Sequence, residues 1–65
     1  MTLTELFNKY EYFLYSPRLK EDGKRFMLSG LRDKILQIYQ YQGKTFELSK
    51  QLFSAEILRI QKRNK

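Results

Sequence analysis

The stretch TLTELFNKYEYFLYSP, residues 2–17, decides the fold class, because its apolar side chains recur at steps of three and four residues. This spacing is typical of one apolar face on an amphipathic helix. Thr2 or Thr4 can cap that helix, and Glu5 follows Thr2 by three residues, as in a capping box. Pro17 ends it, since the residue before a proline is forced out of helical geometry. The periodic side chains are Leu3, Leu6, Phe7, Tyr10, Phe13 and Leu14.

A second apolar face predicts helix 2 over residues 31–41. Ser29 and Gly30 either start this helix or interrupt a longer one. The polar segment 18–24 contains an Asp-Gly turn signal, which predicts a loop and is also compatible with a hairpin. Gly43 follows the last periodic residue, where positive φ suits a helix C-terminus. The apolar residues of this stretch are Phe26, Met27, Leu28, Leu31, Ile35, Leu36, Ile38 and Tyr39.

The last third of the chain, residues 45–65, predicts either one bent helix or two short helices, and two helices are favoured. The break is expected near Phe53, with Ser54 as the N-cap of the final helix. A short strand over residues 44–48 is a minor alternative, because polar and apolar residues alternate there briefly.

The sequence therefore predicts one all-α domain over residues 1–65, with three to four helices and a helix-turn-helix-like C-terminal half. An aromatic content of 15% favours a packed core despite 31% charged residues. A chain this short leaves little stability to spare, so a two-fold dimer is expected. The predicted core consists of Leu6, Phe7, Tyr10, Phe13, Leu31, Ile35, Ile38, Leu48, Leu52, Ile57 and Ile60.

The chemistry available to this chain argues against an enzyme. Cysteine and histidine are absent, which removes disulfides, the usual zinc ligands and the commonest catalytic nucleophile and base. The glycines are isolated and form no phosphate-binding loop. We expect no cofactor and no metal. The first 15 residues lack the apolar run of a signal peptide or membrane helix, which predicts a cytoplasmic protein.

The net charge of +6 is concentrated in the second half of the chain. Residues 1–33 contain six basic and five acidic side chains, whereas residues 34–65 contain seven basic and two acidic ones. A basic segment of this kind favours a polyanionic partner.

Residues 46–63 resemble the helix-turn-helix of DNA-binding regulators, in which a second helix enters the major groove. Phe53 departs from the motif, since the tight turn there usually has glycine. The end of the chain also resembles the helical DNA-clasping domain of tyrosine recombinases, where a short polar turn precedes a helix. In the first resemblance Leu48, Ser49 and Leu52 fit the first helix, while Ser54, Ile57 and Ile60 fit the cap and the buried face of the second.

The resemblance and the charge together predict a binding site for double-stranded DNA. The lysines and arginines would contact phosphates, and Gln51 or Arg59 would contact bases. For Arg59, Lys62 and Arg63 the alternative interpretation is a solvated helix end, which the helix dipole favours. The hypothesis is a transcriptional regulator or accessory recombination factor of phage or plasmid type. Its predicted nucleic-acid-binding residues are Lys44, Lys50, Gln51, Arg59, Lys62 and Arg63.

Three tyrosines support an alternative hypothesis from another class. Tyr12, Tyr15 and Tyr41 fall off the apolar faces, where they can form a protein interface or stack on nucleobases. The chain would then be a protein-binding inhibitor or adaptor with an aromatic helical surface, whose basic tail matches an acidic patch on its partner. RNA binding is a third hypothesis.

Overall fold

Three helices and no strand make up the part of the chain that the computed structural model describes, residues 2–64. Helix α1 spans Leu3–Leu14, α2 spans Glu21–Tyr41 and α3 spans Phe46–Arg63. The predicted all-α class is confirmed. None of these helices is both long enough and apolar enough to cross a membrane.

Helix α1 begins as its sequence predicts. The Thr2 side-chain oxygen accepts a hydrogen bond from the Glu5 backbone N–H at 3.2 Å. This satisfies one of the amide groups that the first turn of a helix leaves without a partner. The helix ends at Leu14, three residues before Pro17, which confirms the predicted stop.

Helix α2 begins at Glu21, ten residues before its predicted start at Leu31. The prediction of a loop over residues 18–24 is therefore wrong for its second half, and the longer-helix alternative is correct. Glu21 and Asp22 lie in the first turn, where carboxylates interact favourably with the positive end of the helix dipole. Each interior glycine costs about 1 kcal/mol relative to alanine, and burial of the apolar face offsets this.

The turn between α2 and α3 occupies residues 42–45 and depends on Gly43, whose φ of +93° is the only positive one among the described residues. The Gly43 N–H donates to the Gln40 carbonyl at 2.9 Å, and the Lys44 N–H donates to the Tyr39 carbonyl at 3.1 Å. This pair of bonds is the Schellman motif, which satisfies the last carbonyls of a helix. The prediction for Gly43 is confirmed.

Helix α3 is one continuous helix, so the favoured prediction of two helices broken near Phe53 is wrong. The strand alternative over residues 44–48 is also not formed. Thr45 caps α3 by accepting from the Leu48 backbone N–H at 3.1 Å. Ser54, the predicted cap, is exposed in the middle of the helix. The turn that the helix-turn-helix resemblance requires within residues 46–63 is therefore absent.

The reason for this continuity lies in the side chain of Phe53, which packs against α1. Its ring centroid is 6.1 Å from that of Phe7 and 5.3 Å from that of Tyr10, the latter in an edge-to-face arrangement. An unbroken helix carries Ser49, Phe53 and Ile60 on one side, because at about 100° per residue they fall within a narrow arc. A turn at Phe53 would remove that alignment.

The core centres on Leu6, Leu31 and Ile35, which are all buried. Ile60 of α3 is also buried, at 2% exposure. The core prediction is wrong for Leu48, which is 42% exposed. Its neighbour Ser49 is fully buried instead and donates its hydroxyl to the Thr45 carbonyl at 2.7 Å. The other predicted core residues are at least half-buried, namely Phe7, Tyr10, Phe13, Ile38, Leu52 and Ile57.

Truncation of Ile60 and of Leu48 to alanine should therefore have unequal effects. Ile60→Ala leaves a cavity and should lower the free energy of unfolding by about 2 to 5 kcal/mol, a large fraction of the stability of so small a domain. Leu48→Ala, on the same helix, should cost less than about 1 kcal/mol because the side chain is already largely in water. Thermal unfolding followed by circular dichroism measures both. Equal destabilisation would contradict the burial described above.

Candidate nucleic-acid interface

The six residues predicted to bind nucleic acid do not share one face. Lys44, Lys50 and Gln51 lie at the turn and the start of α3, while the others lie in its last two turns. Arg59 follows Lys50 by nine residues, a rotation of about 900° around the helix axis, which places the two side chains on opposite sides. Gln51 and Lys62 do share a side, but they are about 16 Å apart along the axis.

The cations near the start of α3 are held against aromatic rings. The Lys44 ammonium donates to the Gln42 side-chain oxygen at 3.0 Å and lies 5.7 Å from the centre of the Tyr39 ring. The Lys50 ammonium lies 4.9 Å from the centre of the Phe46 ring. It is also 3.7 Å from the Glu47 carboxylate, on the exposed surface of the first two turns. Exposed ion pairs and exposed cation–π contacts contribute little free energy, so both lysines can still bind a phosphate.

The cations near the end of α3 have different surroundings. Arg59 forms an exposed ion pair of 3.2 Å with Glu56 on the same helix. Lys62 is exposed. Arg63 reaches across to α1, where its guanidinium donates to the Glu11 carboxylate at 2.8 Å. Arg63 therefore joins two helices, which is a structural contact that the sequence did not reveal.

Both carboxylate oxygens of Glu11 accept hydrogen bonds from the end of α3. The Asn64 side-chain amide donates to one oxygen at 2.6 Å, and Arg63 donates to the other. These two hydrogen bonds, that from Asn64 foremost, lower the pKa of Glu11 below its ordinary value of 4.5, and the positive charge of Arg63 acts in the same direction. These three residues, Glu11, Arg63 and Asn64, form the Glu11 cluster, which holds the C-terminal end of α3 against α1.

Two neighbouring cavities beside α2 bring together cations that were not predicted as one group. Arg32 lines a cavity of about 290 Å³ with Phe46 and Lys50. It also lines a neighbouring cavity of about 300 Å³ with Tyr10 and Arg25. The first cavity lies between α2 and α3, and the second lies between α2 and Tyr10 of α1. We call the surface that they form together around Arg32 the α2–α3 cleft, and its polar lining is completed by Ser29, Asp33 and Ser54.

The electrostatics of the α2–α3 cleft are positive. Its one carboxylate, that of Asp33, is 3.8 Å from the Arg32 guanidinium, and both side chains are more than half exposed. Burial raises the pKa of the Tyr10 hydroxyl, and the nearby charge of Arg32 opposes this rise. Three cations from two helices thus line this surface with two carboxylates within 4 Å of them, those of Asp33 and Glu47, and the net positive charge suits binding an anion.

Arg25 and Arg32 were not among the predicted site residues, because their relation to each other depends on where α2 begins. They are seven residues apart, so on a helix they lie about 10 Å apart and nearly on the same side. That relation is meaningful only if α2 extends back to Glu21, whereas the predicted helix began at Leu31. The near-neutral charge balance of residues 1–33 also concealed them, because it averages over faces of the helices that point in different directions.

The three tyrosines assigned to a protein interface are exposed, as their positions off the apolar faces predicted. Tyr12 lines a groove of about 580 Å³ between α1 and α2, together with Phe13 and Met27. Tyr41 lines an adjoining groove of about 530 Å³, and Lys34 borders both. Within residues 2–64 no group of three acidic, histidine or cysteine side chains is placed to hold a metal ion.

The Glu11 cluster predicts a loss of stability in acid. A lowered pKa in the folded state means that the stabilisation is present above the unfolded pKa and disappears as the pH falls through the folded value. Thermal unfolding between about pH 7 and pH 2 should show this loss below about pH 4.5, and Glu11→Gln should remove that part of the pH dependence.

Glu47→Gln is the matched control, because the Glu47 carboxylate contacts Lys50 within α3 and not another helix. This variant keeps Glu11 and should retain the acid-dependent loss. If Glu11→Gln shows the same pH profile as the parent, the contact with Arg63 and Asn64 does not stabilise the fold.

Comparisons with protein-family models, with curated proteins and with solved structures give no match for this chain.

Proposed function

We propose that this chain is a small DNA-binding protein that places its α2–α3 cleft against the phosphate backbone of double-stranded DNA. The supporting observation is that Arg32 borders two neighbouring cavities, one shared with Lys50 and the other with Arg25, and that Asp33 is the only acidic side chain lining either of them. Arginine and lysine contacts to phosphates supply most of the affinity of such proteins and fix their orientation on the duplex. The net charge of +6 also favours DNA binding, because it accelerates the diffusional encounter with the negatively charged duplex.

The connection between α2 and α3 supports a revised location for the helix-turn-helix. A turn of three to four residues that contains glycine is the usual link in this motif. Residues 42–45 supply such a turn, with Gly43 at positive φ. In this arrangement α3 is the recognition helix, and Lys44 and Lys50 lie beside its start.

The exposed residue best suited to contacting bases is Gln51, in the second turn of α3. Residues near the N-terminus of a recognition helix contact base edges in the major groove, and a glutamine amide can bind adenine through two hydrogen bonds. The biological role that fits is the one expected from the sequence, a cytoplasmic regulator or accessory recombination factor of phage or plasmid type.

The decisive variant is the triple substitution Arg25→Ala, Arg32→Ala and Lys50→Ala. Titration of a fluorescent random duplex at several salt concentrations should show weaker binding, because phosphate contacts are lost. The slope of log K against log salt should become shallower by about 0.9 for each contact removed, or roughly 2 to 3 in total. Circular dichroism should show an unchanged fold, since these side chains lie at the surface of the cleft.

The matched control is the triple substitution Arg18→Ala, Arg59→Ala and Lys62→Ala, which removes two arginines and one lysine outside the cleft. It should keep most of the affinity and most of the salt slope. Equal losses in the two triple variants would show that only total charge matters and would contradict a defined site. A parent that does not bind duplex DNA at about 50 mM salt contradicts the proposal outright.

The alternative hypothesis, a protein-binding adaptor, is favoured by one specific observation. Tyr12 is 66% exposed beside the groove between α1 and α2, and Tyr15 is also exposed at the end of α1. Tyrosine is enriched at protein interfaces, since it combines a large apolar body with a polar tip. The adaptor function is favoured if the parent does not bind duplex DNA. Titration with RNA or single-stranded DNA under the same conditions tests the third hypothesis, RNA binding.

A further inference from the structure

The side of the molecule away from α3 carries a long furrow between α1 and α2, which we call the α1–α2 groove. It consists of the two adjoining grooves of about 580 and 530 Å³, which share Lys34 in their lining. One of them joins Phe13 to Met27 and the other joins Leu6 to Ile38, so the two helices run antiparallel along it. No described residue of α3 lines either groove. The third helix therefore covers one side of the α1–α2 pair and leaves this side open.

The α2 side of the groove has the spacing of a helix-packing seam. Five of the six residues with which α2 lines it recur at alternate steps of four and three residues, and at about 100° per residue they fall within an arc of about 80°. A period of 3.5 residues is typical of a surface along which another helix packs. The row is about 21 Å long, or about four turns of helix. Its members are Met27, Leu31, Lys34, Ile38 and Tyr41.

Lys34 is the one charged member of this row and lies at its centre, with two apolar or aromatic residues before it and two after it. Its side chain is exposed and forms no ion pair among residues 2–64. The carboxylate next to it in the sequence, that of Asp33, is instead 3.8 Å from the Arg32 guanidinium. The methylene stem of a lysine can cover apolar neighbours while its ammonium stays at the rim. An unmatched cation thus lies at the midpoint of an apolar row.

The lining of the α1–α2 groove restricts the chemistry of what can bind there. Lys9 lines it together with Lys34, and no carboxylate is among its described lining residues. A nucleic acid would leave the apolar row uncovered, and a wholly apolar helix would cover the Lys34 ammonium without a partner, which is costly. A two-fold pairing of two copies of the row would bring one Lys34 against the other. A helix with an apolar row and a carboxylate at its centre meets both requirements.

We propose that the α1–α2 groove binds an amphipathic helix of another protein, whose apolar row carries one glutamate or aspartate at its centre, opposite Lys34. Its apolar side chains pack between Phe13 and Met27 at one end of the groove and against Tyr41 at the other. Tyr12 and Tyr41 are 66% and 94% exposed, and the bound helix covers both. A single polar residue within an apolar seam selects the partner and its register, so Lys34 determines the specificity.

The α1–α2 groove and the α2–α3 cleft lie on opposite sides of α2. Arg32 and Lys34 are two residues apart, which separates their side chains by about 160° around the helix axis. A helix bound in the groove therefore leaves Arg32 accessible. The inference does not rest on DNA binding, and it is tested without nucleic acid.

Two synthetic helical peptides of about 18 residues, long enough to span the row, test the proposal. Both carry leucine at the seam positions and only alanine and glutamine elsewhere, and they differ at the central seam position, which is glutamate in one and lysine in the other. Fluorescence anisotropy of each labelled peptide is measured as the parent protein is added. The glutamate peptide should bind with a Kd on the order of 10 to 100 µM. The lysine peptide should bind at least about fivefold more weakly, because like charges meet at Lys34.

Charge reversal in the protein provides the matched variants. Lys34→Glu should invert the preference, so that the lysine peptide binds at least about fivefold more tightly than the glutamate peptide. Lys62→Glu makes the same change of charge at an exposed position of α3 and should keep the preference of the parent. Tyr41→Ser should weaken the binding of both peptides alike, whereas Leu58→Ser, at a side chain 58% exposed on α3, should weaken neither. Circular dichroism of each variant shows whether the fold is retained.

Three results overturn the proposal. The first is a parent that binds neither peptide at about 500 µM. The second is equal affinity of the parent for the two peptides, or a Lys34→Glu variant that keeps the preference of the parent, since Lys34 then does not select the partner. The third comes from sedimentation equilibrium of the parent: a dimer that the glutamate peptide dissociates makes a second copy the occupant of the groove.

Discussion

The packing of the Phe53 ring against Phe7 and Tyr10 is the contact on which the arrangement of the three helices depends. Short links join α1 to α2 and α2 to α3, so the position of α3 relative to α1 depends on contacts between side chains. An aromatic side chain in the middle of α3 contributes a large buried area at one point. Ser49, one turn before Phe53, is fully buried because a small side chain lets the helix approach closely. Continuity of α3 follows from this contact.

A continuous α3 decides where the charges lie. Its end is held to α1 through Glu11, which gives Arg63 a structural contact. Its start, after the turn at Gly43, lies beside α2 and lines a cavity with Arg32. Cations from distant parts of the chain are thereby brought together, while neighbours in the sequence are separated around the helix.

The small core limits how much surface the fold can cover. Few side chains are fully buried, and the chain lacks cysteine and histidine with which to fasten it further. Local interactions at the helix ends are correspondingly important, since Thr2 and Thr45 cap two of the three helices. Three helices leave the outer side of α2 uncovered, and its aromatic side chains are then available to a partner.

The sequence by itself determined the all-α class, the limits of α1 and the glycine turn before α3. Periodicity, caps and positive φ act over a few residues, so they can be recognised without the fold. Only the tertiary structure decided four other features. These are the start of α2, the continuity of α3, the burial of Ser49 in place of Leu48, and the α2–α3 cleft. Each depends on what packs against a helix, which outweighs local signals such as the turn-like Asp-Gly pair and the potential cap at Ser54.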